Sequence, residues 1–155
     1  MARIKIGDLV EIKTSSGLTY AQYTHKQPRY GALLRIFDKS YKNRPSPLEG
    51  VLNDSVRFST FFPLTAAINR GIFEIVGNFS VKEELKPFPL FRAGAVGTSG
   101  KVATWWLWDG EKEERIGKLS DKQKYLPIRG VWNDTLLIER IESGWTPYTD
   151  PITQK

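Results

Sequence analysis

Residues 4–37 read IKIGDLVEIKTSSGLTYAQYTHKQPRYGALLRIF. From Ile4 to Thr14, Leu9 and Val10 sit inside an alternating, β-branched frame. Ser15-Ser16-Gly17 forms a tight turn, after which Leu18, Tyr20 and Gln22 alternate with Thr19, Ala21 and Tyr23. Two runs of period two joined by a Gly-bearing step predict a hairpin. Tyr30 to Phe37 is a third apolar run of strand length, set off from the second by Pro28. By analogy, three early strands opened by a Gly7-Asp8 step predict the start of a small SH3-like barrel.

Beyond that stretch, DKSYKNRPSPLEG (38–50) has two Pro and a Gly without periodicity and predicts a loop. SVRFSTFF (55–62) alternates as a strand. Pro63 to Gly71 has Pro at its start and Gly at its end, the asymmetry of a short helix, and Ile72 to Gly77 returns to strand. Ser80 to Glu83 has capping-box spacing, but Pro87 and Pro89 leave room for a single turn. KVATWWLW (101–108), before an Asp109-Gly110 turn, is the most strand-like run in the chain. Trp106 and Trp108 fall on one face, Trp105 and Leu107 on the other. Apolar character on both faces predicts a central, doubly covered strand; the alternative is one indole presented at an interface. Ser120 to Gln123 opens another single turn, which Pro127 stops. TLLIERIES (135–143), capped by Asp134 and ended by Gly144, has Leu137, Ile138 and Ile141 at helical spacing, although TLLIERI also suits a strand. Together these elements predict one α+β domain over residues 1–155, dominated by β structure. Its form is a strongly bent antiparallel sheet or SH3-like partial barrel with two or three short helices. Pro147 and Pro151 in a polar tail predict that residues 146–155 fray.

A chain of 155 residues buries roughly 70% of its unfolded surface, enough for its own core. The 40% hydrophobic and 26% charged content is that of an ordered globular protein. Five Trp among 12% aromatics favour a well-packed interior. The absence of Cys excludes disulfides, a thiol nucleophile and a thiolate zinc site. The opening MARIKIGD has no apolar run of signal-peptide length. No stretch reaches the roughly 20 apolar residues of a membrane span, so a cytoplasmic location without membrane attachment is expected. Residues 1–60 hold 10 Lys and Arg against 5 Asp and Glu, whereas residues 61–155 hold 13 against 12. The excess positive charge is therefore concentrated early and favours an acidic partner.

Chemistry is harder to assemble. His25 is the one histidine, without further nitrogen or sulfur ligands for a metal and without a nucleophile placed by any motif. AVGTSGKV (95–102) approaches a phosphate-binding loop. It has Ala95 where the first Gly belongs, Val102 where Ser or Thr must hold magnesium, and a strand where a helix must follow. Asp109 to Glu114 supplies four carboxylates, but interleaved with Lys112 in a polar turn and off calcium-loop spacing. No catalytic residue, cofactor or metal ligand is therefore expected. The richest stretch is KQPRYGALLRIFDKSYKNR (26–44), which sets Lys26, Arg29, Arg35, Lys39, Lys42 and Arg44 among Tyr30, Phe37 and Tyr41. Cations beside aromatics suit an acidic protein surface or, alternatively, phosphates and stacked bases. They also suit a solvated loop whose aromatics turn inward. Arg29, Tyr30, Arg35, Tyr41, Lys42 and Arg44 are the candidate partner-binding residues.

The opening KIGDLVEIKTSSGLTYAQY resembles the start of the immunity protein 26 family of bacterial toxin-immunity systems. FSTFFPLTAAINRGIFEIVGN, LKPFPLFRAG and the closing LPIRGVWNDTLLIERIESGW are similar too, so the resemblance spans roughly residues 4–145. It implies a small cytoplasmic protein that neutralises a cognate toxin by binding it, with no functional residue to carry over; a monomer is expected by default. A small nucleic-acid-binding module using residues 26–44 is the alternative. Inhibitors of basic nuclease toxins tend to be acidic, whereas this chain has a pI near 9.5. The expected toxin surface is therefore acidic, or the contact is led by shape.

Overall fold

Gly7 sets the entry to the first sheet. Its φ of +98° lies in the left-handed region, and a Cβ there would fall 2.5 Å from the Phe79 carbonyl oxygen. Glycine is needed so that its amide can donate to Tyr23 O while its carbonyl accepts from Phe79 N. In this computed structural model, which describes residues 3–154, four strands follow as a meander. They are β1 (Asp8–Thr14), β2 (Gly17–Gln27), β3 (Gly31–Tyr41) and β4 (Val56–Phe62). The short helix α1 (Leu64–Asn69) leads to β5 (Glu74–Asn78), which returns beside β1. The sheet is antiparallel throughout, in the order β4-β3-β2-β1-β5, with β4 and β5 as its outer strands. Register shifts at Thr19/Ala21 and Tyr23/His25 of β2, and at Ile36/Phe37 of β3, add local twist.

Both faces of this sheet are covered. On one, Leu9, Tyr20 and Phe37 pack with Val51 and Leu52 of a 3₁₀ turn over Leu48–Asn53. Helix α2 (Asp134–Ser143), with Leu137 and Ile141 buried, packs against β1. Coverage on both sides explains why β2 and β3 are buried continuously through their centres rather than at alternate residues.

A second antiparallel sheet holds β6 (Phe91–Ala93), β7 (Trp105–Trp108) and β8 (Glu113–Gly117), with β7 central. On one face Trp108 meets Phe88 and Phe91, with ring centroids 5.6 and 5.5 Å away. On the other, the fully buried Arg92 places its guanidinium 4.8 Å from the Trp105 ring. Trp106, 37% exposed, is the indole left at the surface. By Cα proximity the chain forms two compact units, Met1–Pro87 with Gly130–Gly144 and Phe88–Arg129 with Trp145–Lys155.

Several sequence expectations need correction. The segment expected to be a loop from residue 38 remains in β3 to Tyr41, pairing Ser40 with Thr19 and Tyr41 with Leu18. Beyond the last β3–β4 pair, Phe37 with Val56, Asp38 N still donates to Ser55 O at 2.9 Å, and the exposed residues that follow have the composition of a solvated strand end. The tryptophan strand is shorter than KVATWWLW: Val102 instead forms a bridge with Val96, and regular pairing starts at Trp105. The TLLIERI ambiguity resolves to helix, but its cap is Asn133 rather than Asp134, with Oδ1 accepting from the Leu136 amide at 2.8 Å. Near the C-terminus, Asp150 accepts from Trp145 Nε1 at 2.8 Å and Thr153 Oγ1 accepts from Arg92 Nη2 at 2.7 Å. Both residues are buried, and α3 (Pro151–Gln154) closes the segment; Lys155 lies outside the described residues. Among the described residues, no helix is long and apolar enough to cross a membrane.

Candidate functional site

The six candidate contact residues do not form one patch. Strand β3 is 11 residues long, so at roughly 3.3 Å per residue its ends are about 33 Å apart. Arg29 and Tyr30 precede it, whereas Tyr41, Lys42 and Arg44 end or follow it. Arg35, in its middle, is 6% exposed. Its Nε donates to Thr24 Oγ1 at 3.1 Å, with longer bonds to Ser59 Oγ and Leu85 O at 3.4 Å. Burial pulls its pKa down to about 10. Arg35 is a structural cation and is inaccessible to a partner.

At the far end, charge is largely neutralised. Arg44 grips Glu11 with two bonds, Nε to Oε2 at 2.8 Å and Nη2 to Oε1 at 3.0 Å, and also reaches Glu74 at 2.8 Å. The Arg44 hydrogen bonds, outweighing burial and helped by the Tyr20 hydroxyl, hold the Glu11 carboxyl below its ordinary range. Tyr41 donates a short hydrogen bond to Asp54 and meets Tyr20 edge-on, and burial with the Asp54 contact pushes its phenol up to about 12. Lys39 pairs with Asp54 at 3.6 Å, leaving Lys42 exposed.

The near end is built differently. The Gln27 side chain folds back over the β2–β3 turn, and its Oε1 accepts from the amides of Arg29 at 2.6 Å and Tyr30 at 2.7 Å. That pair of bonds fixes Tyr30 so that its ring stacks on Phe61 at 5.3 Å, with the Arg29 guanidinium 5.8 Å from the Tyr30 centroid. Beside it, Pro63 turns β4 into α1, whose Leu64 and Ala67 point inward. The backbone of residues 131–132 runs along the edge of β4, with Trp132 N donating to Phe61 O at 3.1 Å. Between the turn and α1 lies an open cleft of about 640 Å³. Tyr23, Ala32, Phe62 and Leu64 supply buried surface to it, Tyr30 and Ala66 its sides, and Val131, 52% exposed, its lip. Among the described residues, Lys26 is the one charged side chain lining it. Volume and composition fit a site that receives an apolar group.

The sequence reading identifies Arg29, Tyr30 and Lys26 at this place but misses Phe62, the outer face of α1 and Val131. A usable signal exists for the helix: with Leu64 and Ala67 inward at a spacing of three, Ala66 and Asn69 must face out. The Val131 contact depends on long-range pairing and has no local signature.

His25 is half-buried in β2. Its Nδ1 shares a hydrogen bond with Thr24 Oγ1 at 2.8 Å, and its Nε2 lies 2.7 Å from the Lys86 carbonyl. With that carbonyl accepting from Nε2–H, Nδ1 accepts from the Thr24 hydroxyl, which in turn accepts from Arg35. A hydroxyl beside an imidazole is the start of a nucleophile–base pair, but Thr24 is 5% exposed and Arg35 ties its oxygen inward. The loop of residues 95–102 closes as a turn, Gly97 N donating to Lys101 O at 2.9 Å, without a helix behind it. In the acidic turn, Asp109 Oδ1 accepts from the amides of Glu111 and Lys112, holding its carboxyl below the ordinary range, while Glu113 pairs with Arg129 at 2.5 Å. Among the described residues, no group of three His, Asp or Glu is arranged to hold a metal ion. Compared with models of protein families, with curated proteins and with solved structures, the chain matches none.

Proposed function

We propose that this protein is a non-catalytic cytoplasmic inhibitor of the immunity type, which neutralises a cognate bacterial toxin by binding it at the cleft between the β2–β3 turn and α1. The observation that carries this reading is the cleft itself. A fixed Tyr30 with Arg29 stacked on it, beside a concave apolar surface, has the composition of interface hot spots. The strand order supports a strongly bent, SH3-like partial barrel as scaffold, because β5 returns beside β1 after a short helix. Nucleic acid is the rival partner for the same turn. The separation of the basic residues along β3, and the pairing of Arg44 with carboxylates, leave it a smaller continuous positive surface than the sequence suggests.

The test has two steps. Proteins captured by the wild-type chain and lost by its Tyr30→Ala variant are identified by mass spectrometry, and each is then expressed alone and with the wild-type chain in a bacterial host. Arrested growth that co-expression restores is the expected result. Failure of the wild-type chain to protect against any captured protein, or affinity for oligonucleotides that falls steeply with salt, contradicts it.

A further inference from the structure

We propose that the cleft receives an apolar side chain of the partner flanked by carboxylates, so that the docking segment is an acidic, apolar stretch of polypeptide. The inference rests on the reading of this cleft as the partner-binding site. It starts from the distribution of charge around an apolar floor. Lys26 lines the cleft, Arg3 and Lys5 flank the lining residue Ile4, Arg29 precedes Tyr30 and Arg70 follows Asn69. All five cations are exposed. Among the described residues, neither those lining the cleft nor their immediate chain neighbours include an Asp or Glu. Among the described residues, none of these five side chains is in an ion pair, in contrast to Arg44 at the other end of β3.

Like charges gathered at a rim repel one another and raise the local positive potential, and a partner that supplies the missing carboxylates relieves both. The floor sets the second requirement. Phe62 and Leu64 are buried beneath the cleft, and Tyr30, Ala66 and Val131 present carbon at its sides and lip, so its lining offers more apolar than polar surface. An occupant must therefore be apolar in the middle and anionic around it. A small amphiphilic carboxylate brings one charge to a cleft lined by Lys26, with Arg29 beside Tyr30 and further cations next in the chain to its lining, whereas a peptide segment brings several on either side of its anchor. The geometry thus points to polypeptide.

Random displayed peptides selected on the full-length protein test this directly. The expected pool is enriched in Asp and Glu within a few positions of a Leu, Phe or Trp. Its affinity falls about tenfold for Lys26→Glu/Arg29→Glu, and it is lost on Tyr30→Ala, with the amide NMR spectrum reporting that both variants remain folded. A neutral or basic pool overturns the inference, as does failure to enrich any peptide or a pool that still binds Tyr30→Ala. Decanoate filling the cleft while no peptide is enriched also overturns it, in favour of a small amphiphile. The two readings fail separately. Growth protection that survives the double charge reversal leaves toxin neutralisation standing and removes the acidic docking segment. Acidic peptides bound by a chain that protects against nothing do the reverse.

Discussion

Arg35 and Arg44 belong to the same basic stretch, yet their surroundings give them opposite uses. Arg35 is desolvated and spends its donors on Thr24, Ser59 and Leu85, whereas Arg44 stands half-exposed and neutralises the buried carboxyl of Glu11. For Glu11, the folded pKa lies below the unfolded value, so its contribution to stability is present above about pH 4.3 and is lost as pH falls through the folded value. Arg44→Ala is therefore expected to lower the urea midpoint at neutral pH, and the gap from wild type to narrow in acid. A gap independent of pH excludes the ion pair as its cause. His25 is also depressed, chiefly by desolvation, with Arg35 reinforcing and the Lys86 carbonyl opposing. Its neutral form is the one that fits, so its contribution is complete above about pH 6.5 and is lost as pH falls through the lower folded value. Thermal melting of His25→Gln between neutral and mildly acid pH is expected to show a flatter decline than wild type. An unchanged slope assigns the acid sensitivity elsewhere.

At the scale of elements, Gly7 and Asn133 decide how β1 and α2 begin. Gly7→Ala introduces both an unfavourable φ and a close approach to the Phe79 carbonyl, with an expected cost of about 1–3 kcal/mol in urea unfolding. Asn133→Ala removes the cap on Leu136 N and is expected to cost about 1 kcal/mol. A loss from Asp134→Ala exceeding that from Asn133→Ala reverses the capping assignment. The β1–β2 hairpin, β4, α1, β5 and α2 are legible in the sequence because alternation, Pro-to-Gly punctuation and helical spacing are local signals. The end of β3 is not: Ser40 and Tyr41 are held by pairing to β2 and Asp38 by its amide bond to Ser55, while their exposed sides select polar residues that read as loop. The β7 strand errs the other way. Lys101 to Thr104 have strand-like composition, but regular pairing begins only at Trp105. The candidate site was half legible for the same reason. Arg29 and Tyr30 stand out by type, but the sequence treats residues 26–44 as one patch, whereas an extended β3 separates its two ends.

For the molecule as a whole, a net charge of +6 says less than where the charge is left uncompensated. At the far end of β3, carboxylates from β1 and β5 answer Arg44, whereas Lys26, which lines the cleft, and Arg29 beside it are in no ion pair among the described residues. The central claim is that the protein acts by gripping a partner at this cleft. It is tested most directly by calorimetric titration of the captured partner into wild-type protein and into the folded Tyr30→Ala variant. The account predicts one-to-one binding that weakens by about 2 kcal/mol, roughly thirtyfold, on loss of the Tyr30 ring. Equal affinity of the two proteins would contradict it.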